Sequence, residues 1–114
     1  MQYFVHESDV KWQAHPGFEG VKIKILQSWR EQGALATIVI TQVPKCIEVP
    51  WHIHENSDDI LFILRGKATI SLDGIGTYNL EEGSCIRVPK ATKHKIHDVV
   101  EDLIIYDVFA PPTI

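Results

Sequence analysis

The chain has 114 residues, 45% of them hydrophobic and 23% charged, which is one domain's length (1–114) and too apolar for a disordered chain. It carries 11 Lys and Arg against 15 Asp and Glu, a formal charge of −4, and only Lys90, Lys93 and Lys95 cluster. A net acidic domain without a basic face is not expected to bind nucleic acid or an anionic membrane.

The N-terminal run Met1–Glu7 has no basic stretch leading into an apolar one, so no signal peptide is expected. No apolar run approaches the roughly 20 residues that span a bilayer. Cys46 and Cys85 are far apart and match no CxxC pattern, so two reduced, buried or half-buried thiols in a cytoplasmic protein are expected. One short turn of helix is expected near Ser8–Trp12, with Ser8 as its N-cap. Strands then follow one another. Val21, Ile23 and Ile25 share one face and Lys22 and Lys24 the other. Thr37–Thr41 is a strong strand signal. Ile60–Leu64 is apolar throughout, as in a strand buried on both sides. Lys67–Leu72 alternates and ends at the turn signal Asp73-Gly74. Thr77–Leu80, Cys85–Val88, Lys95–Val100 and Leu103–Phe109 complete the set. About nine short strands with frequent turn signals mean an all-β sandwich or barrel. Pattern alone leaves an immunoglobulin-like sandwich, an OB-fold and a jelly roll open.

The histidines carry the chemistry. In a strand, His52 and His54 point to one side and Ile53 to the other. Neutral imidazole is the commonest metal ligand near pH 7. Asp59, at the start of the next strand, is a carboxylate that can complete part of a shell, whereas Asp58 points the opposite way. His97, three residues after His94, faces away as a surface histidine, and His6 and His15 are read as structural or solvated. Trp12, Trp29 and Trp51 are read as core or interface anchors, with Trp51 pointing away from the histidines. Arg65 and Arg87 are read as solvent-facing ion pairs, although either can bind a carboxylate bidentately.

Two spaced motifs run through this region. His52-x-His54 is followed by four residues, Asp59, six residues and Gly66; Gly83 is followed by five residues, Pro89, and His94 five later, with Asp98 beyond it. This resembles the cupin family from about Cys46 to Asp98. The departures are Cys46 and Ala91 where the family has glycine, Asp98 where it has asparagine, and Asp59 where it has a glutamate ligand. The resemblance implies a double-stranded β-helix, a jelly-roll barrel. It also implies one divalent transition metal (Zn, Ni, Fe, Mn or Co) on His52, His54 and His94, with Asp59 bound directly, through water or one layer out. Such barrels are commonly homodimers, and Tyr3-Phe4-Val5 offers a strand for a partner subunit.

The segment Tyr106–Pro112 is similar to the DVFxPP end of small pectin-degradation-type cupins, which open cyclic unsaturated uronates. That likeness implies active-site roles for Asp107 and Phe109. By themselves these residues read equally as a strand-end carboxylate or general base, and as core packing. The function implied is a metal-dependent enzyme, of isomerase or ring-opening type, acting on a small oxygenated substrate such as a sugar acid. An Fe(II) dioxygenase and a non-catalytic small-molecule binding module are the alternatives.

Overall fold

The computed structural model describes residues 3–114; Met1 and Gln2, part of the N-terminal segment read above for a leader, lie outside them. The strands are β1 (Gln13–Ala14), β2 (Lys22–Gln27), β3 (Thr37–Val43), β4 (Val49–His52), β5 (Asp58–Leu72), β6 (Gly76–Leu80), β7 (Cys85–Val88) and β8 (His94–Ala110). All pairings are antiparallel. One layer runs β1-β2-β3-β8-β5-β7, using the C-terminal part of β8 and the N-terminal part of β5. The other runs β4-β8-β5-β6, using the remaining parts of the same two strands. The all-β jelly roll is therefore the fold.

Sequence pattern and structure differ at the two long strands. The pieces read as Ile60–Leu64 and Lys67–Leu72 are one strand, as are Lys95–Val100 and Leu103–Phe109. The inward residues of β5 are Asp59, Leu61 and Ile63, then Ala68, Ile70 and Leu72. Register shifts between Ile63 and Thr69 change the parity. A bulge moves every later side chain to the other face, so an alternating strand reads as two. Gly66 sits at this bend with φ +101; a Cβ there would collide with the backbone of Asp102 and Leu103.

β3 alternates without interruption, with Thr37, Val39, Thr41 and Val43 inside. Leu61, Ile63, Ile70, Leu103 and Ile105 fill the space between the layers. Ile60–Leu64 is not buried on both sides: Phe62 and Leu64 lie on the outer face and are exposed. Lys24 is not solvated either. Its Nζ donates to Glu7 Oε2 at 2.6 Å and lies 4.9 Å from the Trp12 ring, so the N-terminal segment covers that face of β2.

The helical turn forms at Glu7–Asp9 as a 3-10 turn with His6, not Ser8, as N-cap. An α-helix that pattern reading missed, α1 (Trp29–Gln32), is capped by Ser28 Oγ accepting from the Glu31 amide, and it ends at Gly33 with φ 68. Cys46 and Cys85 are both exposed, not buried, and form no disulfide. Trp12, Trp29 and Trp51 are all exposed, so none is a core anchor. Tyr3 and Phe4 are exposed and belong to no strand. Among the described residues no helix is long and apolar enough to cross a membrane.

Cys46, Ala91 and Asp98 adopt φ of 71°, 61° and 49°, the left-handed region that disfavours a Cβ. These are the positions where glycine or asparagine was expected. Ala91→Gly relieves strain of about 1–2 kcal/mol but loosens the unfolded chain by about 0.4–1 kcal/mol. Urea unfolding is expected to show Ala91→Gly more stable by about 0.5–1 kcal/mol. Gly66→Ala, by contrast, is expected to lose roughly 2–4 kcal/mol, because the obstacle is backbone. A destabilised Ala91→Gly variant would contradict the strain assignment.

Candidate metal centre

His52 closes β4, opposite His94 at the start of β8, and His54 follows just past the strand end. The amide of Ala91 donates to the His54 carbonyl at 2.7 Å and holds that segment in place. Asp58 faces outward, as expected: it accepts from the Lys90 amide at 2.9 Å and meets Arg87 at 3.5 Å.

The three imidazoles converge. Their ligand atoms all lie within 4.8 Å of one another. Two rings are held from behind, with His52 Nδ1 2.8 Å from the Pro50 carbonyl and His94 Nδ1 2.9 Å from the Thr92 carbonyl. A carbonyl only accepts, so each Nδ1 carries the hydrogen and each Nε2 keeps a lone pair. Such bonds orient the ring of a metal-binding histidine. Burial, then repulsion from His94, lowers His52 and His54 to about 4, and burial also lowers His94. All three are neutral at pH 7. His94 Nε2 is buried and has no hydrogen-bond partner. A lone pair stranded beside two others fits a cation of nitrogen-seeking type, so the three histidines could bind a metal.

Asp59, on the adjoining layer, places Oδ2 3.8 Å from His54 Nε2 and 3.6 Å from His94 Nε2. Both distances are too long for hydrogen bonds, and with neutral histidines neither is an ion pair. They approach the spacing of two donors that each sit about 2 Å from one shared ion. Behind Asp59 lies Asp107, whose Oδ2 accepts from the Thr41 hydroxyl at 3.1 Å. Asp59 Oδ1 and Asp107 Oδ1 are buried and unpartnered. Burial pushes Asp59 up to about 6, while its contact with Asp107 lowers it. Burial, then the neighbouring Asp59 charge, holds Asp107 well above the usual carboxylate range. Two adjacent buried carboxyls favour a shared proton over two charges.

These groups line a cavity of ≈ 190 Å³. Phe109 lines it too, its ring 4.9 Å from that of His54. His97 lies outside, bonded to Ser71 and Asp98. Arg65 and Arg87 do not line the cavity.

Three contributors were missed by sequence reading. His15 lines the cavity, accepts from the Gly17 amide at 2.9 Å and stacks on Phe18, which in turn touches His52. Thr41 fixes Asp107, but an inward threonine in a strand carries no signal of its partner. Ile114 closes one side because Thr37 Oγ1 accepts from the amides of Thr113 and Ile114 and donates to the Ile114 carbonyl.

A carboxyl whose folded pKa is raised contributes stability at low pH that is lost as pH rises through the folded value, here about 6 for Asp59. The lowered histidines act oppositely below about 6.5, so comparison with a variant isolates the carboxyl pair. In Asp107→Asn the amide donates to Asp59 and accepts from Thr41. In EDTA-treated protein this variant is expected to match or exceed the wild type at pH 8 by on the order of 1–3 kcal/mol, with the gap closing toward pH 5. Thermal unfolding across that range checks it; a less stable variant at pH 8 contradicts the shared-proton pair.

An uncharacterized protein of Streptomyces coelicolor is 38% identical over 55 residues, which are 48% of this chain and 51% of that protein. The match therefore spans about half the length of that curated relative. An RmlC-like cupin from Shewanella frigidimarina superposes with a TM-score of 0.82 over 99% of this chain and 94% of that one, at 19% identity. KdgF from Halomonas sp. superposes with a TM-score of 0.80 over 95% and 94%, at 22% identity. These likenesses show the fold. The sequence model of the cupin domain matches residues 38–109, a stretch that contains His52, His54, Asp59, His94, Asp107 and Phe109. The chain belongs to the cupin family.

Proposed function

We propose that this cupin is a metal-dependent enzyme, of isomerase or ring-opening type, acting on a small oxygenated metabolite. The observation that carries this reading is the stranded His94 Nε2, held with the donor atoms of His52 and His54 within 4.8 Å in a cavity. His52, His54 and His94 are assigned as ligands through Nε2, with Asp59 as the carboxylate beside them. The donor set suits Zn, Ni, Fe, Mn or Co. When bound, the ion supplies Lewis acidity toward a substrate oxygen.

Asp107 is assigned as the proton-transfer group. The Thr41 hydroxyl fixes its Oδ2, and the proton that Oδ1 holds beside Asp59 is given to one substrate atom and replaced from another. Such a transfer conserves atoms and electrons and needs no co-reactant. Phe109 packs against His54 and keeps water from that side of the site. The pectin-type likeness of the Asp107–Pro112 segment supports the isomerase class.

Elemental analysis of the purified full chain and of a His52→Ala/His94→Ala variant is the test. The wild type is expected to hold near-stoichiometric transition metal and the variant none, with an unchanged circular dichroism spectrum. An ion at 100 times its dissociation constant is expected to stabilise the wild type by about 2.7 kcal/mol. Asp107→Asn is expected to keep the metal. No metal in the wild type, even after reconstitution with each ion, would overturn the proposal and leave a binding module. Oxygen uptake by the iron-loaded protein would place it among dioxygenases instead.

A further inference from the structure

Resting on the metal-centre reading, we propose that the substrate is a compact carbonyl or carboxylate compound with a hydrocarbon body, not a polyhydroxylated sugar acid. Most polar groups of the cavity contact one another: His52, His54 and His94 converge, while His15 lies beyond Phe18 and Thr113 stands at the chain's C-terminal segment. His54 and His94 meet Asp59, and Asp107 meets Thr41. The remaining wall is built from side chains such as Val21, Ile23, Val39, Val49, Ile96 and Ile105. They come from β2, β3, β4 and β8 and the turn before β2, so the apolar surface surrounds the space from both layers.

The wall offers a substrate body no hydrogen-bonding group along most of its surface. Among the described residues no Lys or Arg lines the cavity. Among the described residues the acidic side chains that line it are Asp59, beside His54 and His94, and Asp107, bonded to Thr41. Thr41 already spends its hydrogen on Asp107. A sugar ring carries a hydroxyl on nearly every carbon. Each hydroxyl stripped of water against this wall weakens binding roughly tenfold. A hydrocarbon ring instead gains from the same contact. The size also fits: ≈ 190 Å³ is somewhat more than the roughly 150 Å³ that accepts a benzene molecule. One six-membered body with an oxygen-bearing end fills it, with the oxygens directed to the histidine end.

The test uses two probes, each a six-membered ring that bears a carboxylate: cyclohexanecarboxylate, a carbocycle without hydroxyls, and D-glucuronate, a polyhydroxylated pyranose. Each is titrated calorimetrically into the zinc-loaded full chain, with zinc content measured on the same sample. Cyclohexanecarboxylate is expected to bind at least about tenfold more tightly. Val39→Thr adds one hydroxyl to the wall at nearly unchanged volume and is expected to narrow that preference. Equal or tighter binding of glucuronate by a zinc-containing protein overturns the inference and leaves the metal-centre reading standing. Binding of neither probe by zinc-loaded protein also overturns it. A protein that takes up no zinc or other ion yet prefers cyclohexanecarboxylate sinks the metal-centre reading and supports the hydrocarbon-lined site.

Discussion

The close crossing of β5 and β8 is the contact on which the rest depends. Gly66 lies against the backbone of Asp102 and Leu103, nearer than any side chain permits. Both strands bend there and pass from one layer into the other. The same two strands therefore deliver His94 to one layer and Asp59 and Asp107 to the other, and the layers close over a common space. Without that bend, Asp107 and His94, thirteen residues apart on one strand by their numbers, would be far too distant to share a cavity.

The interior combines tight packing with concentrated polar strain. Leu61, Ile63, Leu103 and Ile105 are essentially inaccessible to water, yet Asp59, His94 and Asp107 are buried among them with polar atoms left unpartnered. Burial disfavours the charged form of each, so the histidines stay neutral and the carboxyls hold on to a proton. Unsatisfied groups of this kind lower stability in the isolated chain, and such groups gather where a protein binds or reacts. The apolar surroundings also strengthen every electrostatic interaction made inside the cavity.

The departures from the family pattern fall into two physical kinds. Cys46, Ala91 and Asp98 keep a left-handed backbone without the glycine or asparagine that suits it, so the fold there is imposed by neighbours. At Ala91 the neighbour is the His54 carbonyl, and at Cys46 it is the Val99 carbonyl. Asp59 is the other kind: a shorter carboxylate that still reaches both His54 and His94. A shared barrel does not transfer a substrate, because specificity lies in the side chains that line the cavity.

By itself the sequence determined the all-β class, most strand positions and the spacing of His52, His54 and His94, because period-two alternation and short-range spacing are local properties of the chain. Ser28-x-x-Glu31 is a helix-start signal that pattern reading passed over, because the helix it opens, α1, is a single turn with no apolar stripe. The tertiary structure alone decided that β5 and β8 are continuous, since a bulge reverses the alternation and imitates a strand end. It also decided the exposure of both cysteines and all three tryptophans, the burial of Lys24 under Glu7, and the meeting of Asp107 with Asp59. Alternation says which face a residue takes but not which distant residue shares that face. His15, Thr41 and Ile114 became part of the site only when three separate segments closed around it.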